Sequence, residues 1–158
     1  MNSNQFKSLR ALIVITLILL TIQYELGMDV SLSPTLPELA PFSFSLVKIS
    51  EALHLAGSVT MAHVVLGSLL TLMSIFTLIL SLRSKFRSAQ VLGSLSFLTM
   101  VVAMTGGILF TLSGFQEDHY SLAMASNFIL TFIFYFLELY FIKPDSKTQN
   151  NQVRPTNA

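Results

Sequence analysis

The chain reads as an all-α integral membrane protein, a four-helix up-down bundle. Three observations predict this. First, 53% of its 158 residues are hydrophobic and only 11% are charged, with a mean hydropathy of +0.69. Soluble domains carry about 25% charged residues, so a bilayer is the natural solvent for this surface. Second, the apolar residues gather into four runs long enough to cross it. Third, the basic residues segregate. Lys7, Arg10, Arg83, Lys85, Arg87, Lys143, Lys147 and Arg154 fall on one side of such a bundle, and only Lys48 falls on the other. Asp29, Glu38, Glu51, Glu117 and Asp118 lie with Lys48. By the positive-inside rule both termini are then cytoplasmic, in the cell membrane, and the acidic connections face out.

The first helix is expected over residues 9–26. A basic start before a short apolar run also suits a signal peptide. No small-x-small cleavage site follows, however, because Gln23-Tyr24-Glu25-Leu26 comes next, and a retained helix is the expectation. Residues 29–48 form the longest connection. Pro34, Pro37 and Pro41 lack backbone donors, so no regular helix crosses it. Phe42, Phe44 and Leu46 alternate with serines, which suits an extended or interface-lying piece within an ordered loop.

The second helix is expected over residues 50–82, its spanning part beginning near His63 and its first turns projecting or packed under the loop. A tight basic turn, Arg83 to Arg87, leads to a third helix over residues 89–112. A short acidic turn precedes a fourth helix over 120–142, which Lys143-Pro144 closes. The membrane domain thus covers residues 1–144. Residues 145–158, rich in Asn, Gln, Ser, Thr and Pro, read as a disordered cytoplasmic tail.

Function classes fall away quickly. With no cysteine there is no disulfide, zinc–thiolate site, iron–sulfur cluster or thiol nucleophile. A net charge of +1 and no aromatic-interleaved basic patch give nucleic acid nothing to hold. No phosphate-binding glycine loop and no nucleophile elbow is present.

Helical spacing aligns Ala56, Thr60, His63, Gly67, Thr71, Ser74 and Ser81 near one stripe of the second helix. Small residues allow close helix approach, and polar ones turn inward. His63 is therefore expected to face the bundle interior near its outer end. His54 is about 180° round a straight helix and roughly 13 Å higher, so the two cannot share a metal ion. The third helix has a stripe of Gly93, Ser96, Ala103, Gly107 and Gly114, and Gly106-Gly107 permits close approach of a helix or of a flat cofactor. The fourth presents Tyr120, Met124, Asn127, Thr131, Tyr135 and Glu138. Asn127 and Glu138 need partners or water there, and Glu138 is placed to reach the interface near Lys143. An outer layer is thus expected to gather His63, His119, Met124, Asn127, Gln23 and Glu25, with Glu51 and His54 above it. Such a set suits a haem iron with axial His or Met, a divalent metal on His63 and His119 with carboxylates, or hydrogen bonds to a quinone head. It equally suits plain helix-to-helix hydrogen bonds.

His63 with Gly67 four residues on, and Gly106-Gly107 followed by a hydroxyl-rich run to Gly114, resemble one four-helix half of the heme A synthase family. The resemblance covers about residues 51–141. Glu51 and His54 offer a second register for the second-helix histidine, exclusive of the first; depth and face favour His63. No arginine follows either histidine, no glutamine precedes the glycine pair, and the fourth helix has no histidine within its span. The resemblance implies haem bound through His63 with His119 or Met124 opposite, near Asn127, Gly106 and Gly107, in electron transfer or haem modification. Synthase activity would need a second half, which a homodimer would supply. A different class of function, a non-catalytic accessory subunit of a larger, respiratory membrane complex, fits the small size and the small-residue stripes. A metabolite or ion carrier has no positive support in the sequence.

Overall fold

The computed structural model describes residues 3–32, 39–41 and 43–142, with side chains from Gln5 to Val30 in the first of these. Five helices form among the described residues: α1 Ser3–Leu32, α2 Leu46–Leu55, α3 Ser58–Leu82, α4 Arg87–Leu112 and α5 Asp118–Phe141. Four of them, all but α2, are long and apolar enough to cross a membrane. They form the expected helical membrane bundle. The expected tail, residues 145–158, lies outside the described residues, as do Glu38, Phe42 and Lys143.

Hydrocarbon offers backbone N–H and C=O groups no partner, so the spans satisfy them internally as helices. The hydroxyls do the same. Thr16, Thr71, Thr77, Ser96 and Thr131 each donate to the carbonyl four residues earlier. They can therefore sit in an apolar bundle without an unmet donor.

The packing mixes small polar residues into a core that also buries Leu9, Ile13, Leu20 and Leu70. The centre holds Thr16, Ser74, Thr77, Ser81, Ser96 and Thr131, all 0% exposed. Ile18, Phe76, Leu98, Ile129 and Phe136 face outward. Small residues inside let the helices approach, and the large apolar ones meet lipid.

Adjacent pairs are α1–α3, α3–α4, α4–α5 and α5–α1, which makes α3 and α5 one diagonal and α1 and α4 the other. The α4–α5 seam is the tightest and the α1–α5 seam the loosest. In the tight seam Gly106 abuts the α5 backbone. A Cβ there would lie 3.1 Å from the Tyr120 carbonyl oxygen and 3.2 Å from the Met124 nitrogen. Of the two readings of this glycine, close helix approach is the one seen. Farther along the seam the Thr99 and Thr131 hydroxyls meet at 2.8 Å.

The expected second helix over 50–82 is corrected. It is two helices, broken at Ala56-Gly57. Gly57 has φ 94°, a conformation that side chains disfavour, and its carbonyl starts α3 by accepting from the Met61 amide. The helix also begins earlier, with Leu46 and Val47 helical rather than extended. The break lets α2 fold against α3 and α4, burying Ala52 and Leu53 while His54 stays exposed. The straight-helix separation of His54 from His63 therefore does not apply, although exposure still sets His54 apart.

The first helix is longer than the expected 9–26, running 30 residues. At 1.5 Å per residue that is about 45 Å, more than the hydrocarbon thickness. The α4–α5 turn is a complete C-terminal cap. The Phe115 amide donates to Phe110 O, the Gly114 amide to Thr111 O, and the two phenylalanine rings meet edge-on at 5.6 Å. Gly114 has φ 71°, and a Cβ there would collide with the Leu39 carbonyl, to which Gln116 also donates at 2.9 Å. The long connection is thus latched to this turn. The end holding α2 and this turn is the α2 end. The opposite end, with Lys7, Arg10, Arg83, Lys85 and Arg87, is the basic end.

Candidate functional site

The site is a cavity of about 460 Å³ in the α2-end half of the bundle. All five helices contribute to its wall. α1 gives Gln23, Tyr24, Gly27 and Met28; α2 gives Ile49 and Leu53; α3 gives Thr60, His63, Gly67 and Thr71. α4 gives Met100, Ala103 and Gly107, and α5 gives Asp118, Ser121, Met124 and Phe128. The wall is mainly apolar. Asp118 is its one carboxylate, and no lysine or arginine lines it among the described residues.

Its polar anchor is a pair formed between α1 and α3. The Gln23 amide donates to the His63 carbonyl at 3.0 Å and lies 3.2 Å from His63 Nε2. An amide NH₂ has two hydrogens and no lone pair free for a donor. The imidazole Nε2 is therefore the acceptor, and the neutral ring carries its proton on Nδ1. That Nδ1 and the Gln23 Oε1 are both buried with no hydrogen-bond partner among the described residues. The wall thus holds one donor and one acceptor in need of partners, a cost of about 1–3 kcal/mol for each if unmet.

Two glycines seat the pair reciprocally. A Cβ on Gly27 would come within 3.1 Å of His63 Cε1, and one on Gly67 within 3.1 Å of Gln23 Nε2. The antiparallel helices thus place each polar side chain over the other's glycine. The sequence carries a signal for this, the matching spacings Gln23-x-x-x-Gly27 and His63-x-x-x-Gly67. Gly27 has no place in the outer layer expected from sequence, because helical stripes on one helix say nothing about which glycine another helix meets.

The expected outer layer is gathered only in part. His63, Gln23, Met124 and Gly107 line the cavity. Met124 Sδ lies 3.2 Å from where a Gly107 Cβ would be, so this glycine seats the thioether. Gly106 is taken by the α5 backbone. Asn127 is half-buried, donates to Ala123 O on its own helix and does not line the cavity. His119 is exposed at the start of α5, with Nδ1 3.2 Å from Glu117 and its ring against Tyr120. Glu25, Glu51 and His54 are exposed. No group of three or more His, Asp or Glu gathers as a metal site among the described residues.

A second hollow of about 240 Å³ lies between α1 and α5, lined by Leu20, Thr21, Tyr24, Phe128, Ile129 and Phe132. It shares Tyr24 and Phe128 with the cavity. The loosest seam of the bundle therefore adjoins the cavity. A site with this geometry can hold an apolar body, hydrogen-bond one end of it through His63 and Gln23, and offer a thioether from the facing helix. Comparison with family models, curated proteins and solved structures finds no match for this chain.

Proposed function

We propose that this protein binds a flat, lipid-soluble redox cofactor in the α2-end cavity, and that the cofactor is haem, serving electron transfer or haem modification. The observation that carries the reading is the half-open, mainly apolar cavity with His63 on α3 and Met124 on α5 both in its wall. His63 and Met124 would hold the iron of a bound haem, which would supply one-electron chemistry. Of the two partners that the heme A synthase resemblance implies for His63, Met124 is favoured over His119, which is exposed and paired with Glu117. Gln23 would release His63 Nε2 to the iron while keeping its bond to the His63 carbonyl, and Gly107 would seat the Met124 thioether.

The α2 end is read as the outer face and the basic end as cytoplasmic, on the positive-inside rule. The absence of cysteine makes this testable by single-cysteine labelling. A cysteine at Ser43 is expected to react with an impermeant maleimide added outside, and one at Lys85 only after permeabilisation.

The test of the cofactor is a reduced-minus-oxidised absorption spectrum of detergent-purified protein from haem-supplied cells. A b-type band in the wild type, lost in His63→Ala, supports haem. A second reading has its own observations. The His63 Nε2 already accepts from Gln23, and among the described residues no lysine or arginine lines the cavity to meet haem propionates. Both suit a neutral quinone head, its tail lying along the α1–α5 seam. Absence of the band together with quinone in an organic extract of the purified protein selects that reading. Neither band nor quinone leaves the accessory-subunit reading, which requires larger proteins to co-purify.

A further inference from the structure

The basic-end half holds a carboxyl that the cavity does not use. Glu138 is 0% exposed, although it lies one turn from the end of α5. It does not reach toward the interface. It crosses the bundle diagonal to α3, where its Oε1 lies 2.5 Å from Ser81 Oγ. Its Oε2 is buried with no hydrogen-bond partner among the described residues. Gly93 of α4 closes the same junction, its missing Cβ falling 3.4 Å from Glu138 Oε1.

The hydrogens in this junction can be counted. Ser81 Oγ lies 2.8 Å from the Thr77 carbonyl as well as 2.5 Å from Glu138 Oε1. Both of those oxygens are acceptors if the glutamate is ionised, and a hydroxyl has one hydrogen to give. One of the two contacts would then bring acceptors together with no hydrogen between them. The count closes if the carboxyl is a neutral acid. Its O–H donates to Ser81 Oγ, and Ser81 donates to Thr77 O. The separation is in the short range of O–H···O bonds. A neutral acid also leaves only a carbonyl oxygen unpartnered at Oε2, whereas an ionised one would leave a buried charge without a counter-ion among the described residues.

Among the described residues no charge around the group offers such a counter-ion. α3 brings Ser81 and Thr77, α4 brings the Gly93 backbone, and Tyr135 is the titratable neighbour on α5 itself. α1 brings Leu9 and Ile13 to the same buried cluster as Tyr135. Lys7, Arg83, Lys85 and Arg87 are exposed, Arg10 lies over the Phe6 ring, and none pairs with Glu138.

We propose that Glu138 is a proton-binding site: in the closed bundle it carries a proton shared with Ser81, and it exchanges that proton with water at the basic end. In the exchange the Glu138 O–H bond breaks and the proton passes to water that enters when the closed bundle opens at this end. The reverse step reloads it. The site is independent of any cofactor in the cavity.

The test is infrared spectroscopy of the reconstituted full chain at neutral pH. A protonated-carboxyl carbonyl band is expected, shifted by isotopically labelled glutamate and absent in Glu138→Gln, whose amide still donates to Ser81. In Ser81→Ala the band moves to higher frequency, as a lost hydrogen bond requires. In heavy water the band shifts as the proton exchanges. A spectrum with carboxylate bands alone, or a protonated band that labelled glutamate does not move, overturns the site. A band that never shifts in heavy water overturns the exchange. Even if both variants fail to fold, the label assigns the band to glutamate, and Glu138 is the buried glutamate among the described residues.

Discussion

The two halves of this bundle start from the same materials and end differently. At the α2 end, glycine and hydroxyl stripes surround a cavity. At the basic end, similar stripes surround filled space. The difference lies on α5. At the basic end it offers Tyr135 and Glu138, both 0% exposed, which reach across the gap left by Ser81 and Gly93. At the α2 end it offers Ser121, Met124, Ala125 and Phe128, which line about 460 Å³ without filling it. A small-residue stripe therefore does not by itself mean tight packing or an opening. What faces it decides. The polar groups differ in reach. Glu138 is engaged across the diagonal, whereas His63 and Gln23 pair between neighbouring helices; each half leaves buried polar atoms without a partner among the described residues, Glu138 Oε2 in one and His63 Nδ1 and Gln23 Oε1 in the other.

Substitutions that add a methyl group should separate the halves most sharply. Gly93→Ala places a Cβ 2.6 Å from Ser81 Cβ and 2.7 Å from its Oγ. Those atoms are held by the helix, so backbone must shift. The expected loss is about 1–3 kcal/mol in thermal unfolding in detergent, the usual cost of overpacking. Gly27→Ala and Gly67→Ala meet only the ends of His63 and Gln23, each at 3.1 Å. They should cost less than Gly93→Ala and should instead alter whatever the cavity binds. Equal losses from all three would erase the distinction between a filled half and an open one.

Smaller effects sharpen it further. A double-mutant cycle between Gln23→Ala and His63→Ala should give a coupling of about 0.6 kcal/mol, as for other polar pairs between membrane helices. No coupling would mean that the pair is not formed. Smallest of all, His119→Ala should leave stability within about 0.5 kcal/mol, because the His119–Glu117 contact is more than half exposed on both sides. A loss beyond 1 kcal/mol would place His119 in the packed bundle rather than at its edge.

How much of this was legible in the chain follows from what each feature depends on. The spans and the inward stripes are set by residues three or four apart on one helix, so Thr60, His63, Ser74 and Ser81 could be assigned to one face. Thr77 falls off that stripe yet is 0% exposed, because α3 is covered on more than one side. The break at Gly57 was hidden, since the apolar pattern runs through it and glycine is common inside membrane helices. Its φ of 94° depends on α2 finding a surface on α3 and α4. The direction of Glu138 depends on a partner 57 residues away. From the sequence it looked set to reach Lys143, and only the diagonal geometry turns it inward. The cavity is the least legible feature, because it is the space that side chains from five helices leave unfilled.

The most direct measurement compares reduced-minus-oxidised spectra of the purified wild type, His63→Ala and Glu138→Gln from haem-supplied cells. The expected result is a b-type band in the wild type, lost in His63→Ala and kept in Glu138→Gln, with function in the open half and a separate proton site in the filled one. No band in the wild type, or a band that survives the loss of His63, would contradict haem binding at the cavity.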